Sequence, residues 1–179
     1  ANKNSEIRRF FVHHGIREYP ITGGPVCFLQ SVHNKDMFEF GKRIIEAIKF
    51  SGLAQMEFMI DQDDNIPKLT EVNARFYGAT CGAINAGIDL PDALYRIATN
   101  GDVETVIDYP AGVKTRYLLY SDTKHMLSVL RGEKSPKYKL GKIKTLINYL
   151  NFFGDDGYYV VSMSDPMPMI KKILNLNTD

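Results

Sequence analysis

Apolar and polar positions alternate most clearly from Gln55, where Met56, Phe58 and Ile60 interleave with Gln55, Glu57 and Asp61. That is the pattern of a half-buried strand with a polar working face. The whole stretch from Met56 to Phe76 reads as two short strands joined by a polar turn. Upstream, Ile7–Tyr19 is rich in β-branched and aromatic residues interrupted by Gly15, which predicts a pair of strand segments or one long bulged strand. Pro20–Pro25 is a turn by composition, and Val26–Val32 is a strand. Period-3.6 spacing of Met37, Phe40, Ile44 and Ile48 predicts a helix from about Lys35 to Phe50, capped by Asn34 and stopped by Gly52. Small residues after Arg75 suit a tight exit into a closely packed helix; a second helix starts at Asp89-Leu90-Pro91 and stops at Gly101. Beyond Gly112 come a strand (113–120), a helix from Ser121 to Gly132, and a helix marked by Leu140, Ile143, Leu146, Ile147 and Leu150. Tyr158–Met163 reads as a strand, and SDPMPM leads into a short closing helix. The expected class is α+β, a mostly antiparallel sheet flanked by helices. Residues 1–105 form the main subdomain, with 106–179 as an extension packed on it.

Composition narrows the partners. A 44% hydrophobic chain of 179 residues can bury a core. Lys+Arg 22 against Asp+Glu 21 leaves a net charge of +1, which gives no global reason to expect nucleic acid or an anionic membrane. Neither is expected as a partner, so any anion binding is local. Cys27 and Cys81 lie in unlike contexts without metal-ligand spacing, which argues against a disulfide framework or a zinc site and for a reducing, cytoplasmic setting. No apolar run reaches the roughly 18 residues of a membrane-spanning helix. The first residue is Ala, and strand-like sequence begins within a few residues of it, so the chain is expected to be a piece of a longer protein.

Chemistry concentrates on the polar face of the predicted hairpin. Glu71, Asn73 and Arg75 are two apart and share one side of a strand. With a three-residue tip at Asp63-Asp64-Asn65, Glu57 falls directly opposite Glu71. Facing carboxylates repel, and a hard divalent cation between them converts that cost into binding. The loop itself is not a calcium loop, because Ile66 and Val72 occupy the positions that need glycine and glutamate. Among Arg8, Arg9, His13, His14 and Arg17, most are expected on a solvated strand face. His14 and Arg17 come first as phosphate-facing alternatives.

Glu57-Phe58, followed by Glu71-Val72-Asn73-Ala74-Arg75-Phe76, resembles the metal-binding signature of the ATP-grasp superfamily. REYPITGGP ahead of it and RFYGATCGAINAGIDLPDALYRIATNG after it are similar to the carbamoyl-phosphate-synthase-like members, over residues 7–102. The resemblance implies the C-terminal half of an ATP-grasp domain, within an ATP-dependent carboxylate–amine ligase working through an acyl phosphate. It implies that Glu57, Glu71 and Asn73 hold Mg²⁺ or Mn²⁺ and contact ATP, that Arg75 faces the transferred phosphate, and that His14 and Arg17 lie near a nucleotide-contacting basic position. The implied partners are ATP, a small carboxylate, an amine and the missing N-terminal half with its glycine-rich lid; a homodimer is left open. The chain alone is then expected to be inactive.

Two other readings stand beside this one. In the first, the hairpin is an ordinary surface element whose acids are balanced by Arg75 and Lys68. In the second, the chain is a non-catalytic nucleotide-binding or structural ATP-grasp-like module.

Overall fold

Antiparallel ladders and flanking helices account for the regular structure of the chain, an α+β architecture seen in a computed structural model that describes residues 1–162 and 164–174. In chain order the strands are β1 (His13–Glu18), β2 (Val26–Ser31), β3 (Gln55–Ile60), β4 (Pro67–Asn73), β5 (Lys114–Arg116) and β6 (Gly157–Tyr158). The helices are α1 (Lys35–Ala47), α2 (Thr80–Asn85), α3 (Leu90–Asn100), α4 (Thr123–Arg131), α5 (Lys142–Leu150) and α6 (Met167–Ile173). The chain divides into two compact units: Ala1–Val12 with Val32–Ala111, and His13–Ser31 with Gly112–Asp179. Where the sequence expectation draws one boundary near residue 105, the second unit also takes its first two strands from His13–Ser31.

The first unit holds α1, the β3–β4 hairpin, α2 and α3. Asn34 caps α1 by accepting the Met37 amide at 2.9 Å, which satisfies a donor that the first helical turn leaves unpaired. Gly41 of α1 faces β3, where a Cβ would meet the Met56 sulfur at an ordinary contact distance of 3.5 Å. Ile45, buried beside it, anchors the inner side of the helix. The helix ends at Ile48, and Lys49 takes the left-handed conformation (φ 52°), so the stop comes ahead of Gly52. Asp89 caps α3 through the Asp92 amide, with Pro91 in the first turn and Gly101 at the end, as the sequence pattern predicts. The N-terminal segment is tied in by Asn2, whose side chain accepts the Asn4 and Glu6 amides and donates to Glu6 and Asp102.

In the second unit the strand order is β1-β2-β5-β6, antiparallel except for the β5–β6 pair. Its core holds Cys27, Leu29 and Thr115, and Met126 and Val129 of α4 are also buried. Gly132 ends α4 in the left-handed conformation (φ 92°) that glycine adopts without steric cost. A π-helical turn, Leu118–Asp122, replaces the expected continuation of the strand to Tyr120 and the cap at Ser121. The expected strand over Tyr158–Met163 shrinks to β6; Met163 lies outside the described residues. Among the described residues no helix is long and apolar enough to cross a membrane.

Candidate divalent-cation and phosphate site

The hairpin reaches the predicted pairing by a different route. Six residues, Asp61–Ile66, connect the strands, and the ladder starts with Ile60 opposite Pro67 and Phe58 opposite Leu69. That register shifts at the next step, where Glu57 pairs with Glu71 and Thr70 is the extra residue of a bulge. The Thr70 hydroxyl donates to the Glu57 carbonyl at 3.1 Å, supplying a partner where the ladder is interrupted. Beyond the bulge Met56 faces Val72 and Gln55 faces Asn73. Gln55, Glu57, Glu71 and Asn73 therefore stand as two cross-strand pairs on one side of the hairpin, with Arg75 at its end.

Each carboxylate is steadied by a neutral amide. Gln55 Nε2 donates to Glu57 Oε1 at 2.8 Å, and Asn73 Nδ2 donates to Glu71 Oε1 at 2.9 Å. The nearby cations are committed elsewhere: Lys68 pairs with Asp64 at 2.7 Å and Asp61 at 3.9 Å, while Arg75 donates to Gln55 Oε1 at 3.4 Å and to the Phe76 carbonyl at 3.2 Å. Among the described residues no cation pairs with Glu57 or Glu71. Both acids are exposed, so the pair is open to a ligand. The donor set is two carboxylates and the Asn73 side-chain oxygen, all hard oxygens. Mg²⁺ held by one or two carboxylates, with phosphate and water completing its shell, fits such a set. Among the described residues no group of three or more His, Cys, Asp or Glu forms a metal cluster. Gln55 is the residue that sequence reasoning passed over. Its position two before Glu57, on the same strand face, was the available signal.

His14 and Arg17 belong to the second unit. His14 is exposed on β1. Arg17 is buried, and its guanidinium meets the Asp122 carboxylate at 2.6 and 2.8 Å. Arg116, equally buried, grips Asp155 through two contacts of 2.9 Å and donates to the Tyr149 carbonyl. The two guanidinium groups lie over the Phe28 ring, 4.5 and 4.4 Å from its centroid. Arg17 therefore serves an internal ion pair and presents no open guanidinium to a nucleotide. A bulge explains this placement: Gly15 pairs with Leu29 and Arg17 with Phe28, so Ile16 is extra, and Arg17 takes the position that strict alternation gives to Ile16. Asp155 completes this buried network.

The family model described as "ATP-grasp in the biosynthetic pathway with Ter operon" matches residues 26–119, just over half of the chain, and that span includes Glu57, Glu71, Asn73 and Arg75. No curated protein matches the chain. ATP-grasp proteins are ATP-binding enzymes of the ligase type, and an oxygen-donor hairpin is in keeping with that chemistry. The chain belongs to the ATP-grasp family of the biosynthetic pathway with Ter operon.

Proposed function

We propose that the β3–β4 hairpin is the divalent-cation and phosphate platform of an ATP-dependent carboxylate–amine ligase of the carbamoyl-phosphate-synthase-like kind. Glu57, Glu71 and Asn73 hold Mg²⁺ or Mn²⁺ against the ATP phosphates, and Arg75 faces the phosphate being transferred. The bound cation supplies neutralisation of phosphate charge. The chain's own residues do the positioning, with Gln55 and Asn73 fixing the carboxylates by their amide groups. Phosphoryl transfer asks for this kind of positioning and charge stabilisation more than for covalent chemistry. The carboxylate takes the terminal phosphoryl group of ATP, releasing ADP, and the amine then displaces inorganic phosphate from the acyl phosphate to form the amide.

The observation that carries this reading is the uncompensated carboxylate pair. A purely structural hairpin would spend Lys68 or Arg75 on Glu57 and Glu71, and both cations are engaged elsewhere. Arg17, buried against Asp122, is not retained as a nucleotide contact. The chain contributes part of the cleft, in a cytoplasmic enzyme whose upstream segment supplies the lid.

Phosphate release from ATP, screened across small carboxylates and amines, tests the assignment. A longer form carrying the upstream segment is expected to turn over, and Glu71→Gln to abolish turnover while the fold stays intact. Unaltered turnover in that variant would refute the assignment, and robust turnover by this chain alone would refute the partial-cleft reading.

A further inference from the structure

Helix α5 in the second unit turns its apolar stripe outward. Ile143, Ile147 and Leu150 are 76%, 59% and 55% exposed, whereas Thr145 is fully buried and Tyr149 half-buried. At 3.6 residues per turn the three apolar residues lie within one narrow sector, and Lys142 and Lys144 fall about 100° to either side of Ile143. Past the helix end, Phe153 in the 3₁₀ turn Phe152–Gly154 is 91% exposed, the highest value among the described large hydrophobic residues. From Lys134 to Gly154 the sequence has five lysines and not one Asp or Glu. Only Lys137 of these meets an acid among the described residues, Glu18 at 2.9 Å. The whole-chain charge of +1 averages this local excess away.

We infer that α5 and Phe153 form a docking surface for an anionic phospholipid membrane. A short helix with an exposed apolar stripe and lysines on both flanks lies in the headgroup plane, its apolar side chains in the acyl boundary and its ammonium groups reaching back to the phosphates. Each lysine near an anionic leaflet adds attraction that an uncharged bilayer does not provide. The acid-free run gives the charge complementarity that selects this partner. Membrane contact here is peripheral and needs no spanning segment.

Co-sedimentation with vesicles tests the inference. The chain is expected to pellet with vesicles of phosphatidylglycerol and phosphatidylcholine, and not with phosphatidylcholine alone. Raising the salt, or introducing Lys142→Gln with Lys144→Gln, should weaken binding by about tenfold or more. Ile147→Ser with Phe153→Ser should do the same while leaving the melting temperature in place, since both side chains are exposed. Failure to pellet with the anionic vesicles, equal pelleting with neutral ones, or unchanged binding in the apolar double variant would each overturn it. A dimer in analytical ultracentrifugation that this variant abolishes, without vesicle binding, would assign the face to a second copy and overturn it as well.

Discussion

Glu57 stands directly across the hairpin from Glu71, one step beyond a bulge at Thr70, with an amide hydrogen bond on each carboxylate and no cation paired to either among the described residues. Like charges at facing positions of an antiparallel pair are destabilising. Glu57→Gln should therefore leave the melting temperature unchanged or raise it slightly when divalent cations are chelated. A clear loss of thermal stability under those conditions would mean that the acids serve the fold, as in an ordinary surface hairpin.

The pairing of Glu57 with Glu71 was legible in the sequence because the two acids sit on alternating strands with a polar turn between them. The three-residue tip that predicted it is not what forms: six residues connect the strands, and the Thr70 bulge restores the alignment. Helix starts at Asn34 and Asp89 were legible for a local reason, since a capping side chain acts on its own helix. Arg17 was not legible. A one-residue bulge reverses which side chains face inward, and nothing in the spacing of Ile7–Tyr19 locates that bulge at Ile16. The partners that make its burial affordable, Asp122 above all, are distant in sequence and join it only in the folded unit.

The buried ion network makes its own prediction. Asp122 is fully buried against Arg17, with Arg116 at 3.6 Å. Removing its charge leaves guanidinium groups inside without their counterion, which typically costs about 3–5 kcal/mol. Asp122→Ala should show that loss in urea denaturation, and Arg17→Met in the same background should recover part of it. A variant as stable as the parent would show that the network contributes nothing.

Histidine burial sets a pH dependence. Burial, with the neighbouring His14 charge as a second cause, pushes the His13 imidazole down to about 4, and burial also lowers His125. A lowered folded value means that the unfolded chain takes up the proton first. Stability is then intact above about pH 6.5 and falls as the pH drops toward 4. His13→Asn should flatten part of that slope between pH 6.5 and 5, with His125 retaining the rest. An unchanged slope in urea melts across this window would contradict the assignment to His13.

The most direct test of the central claim is Mn²⁺ binding to this chain, followed by loss of the free-ion electron paramagnetic resonance signal with and without ATP. The account predicts saturable binding that ATP strengthens, weakened about tenfold or more by Glu57→Gln and by Glu71→Gln, in line with removal of one of two charged ligands. Arg75→Ala should keep the binding of Mn²⁺ alone and lose most of the strengthening by ATP. Mn²⁺ affinity identical in the parent chain and both glutamine variants would contradict it.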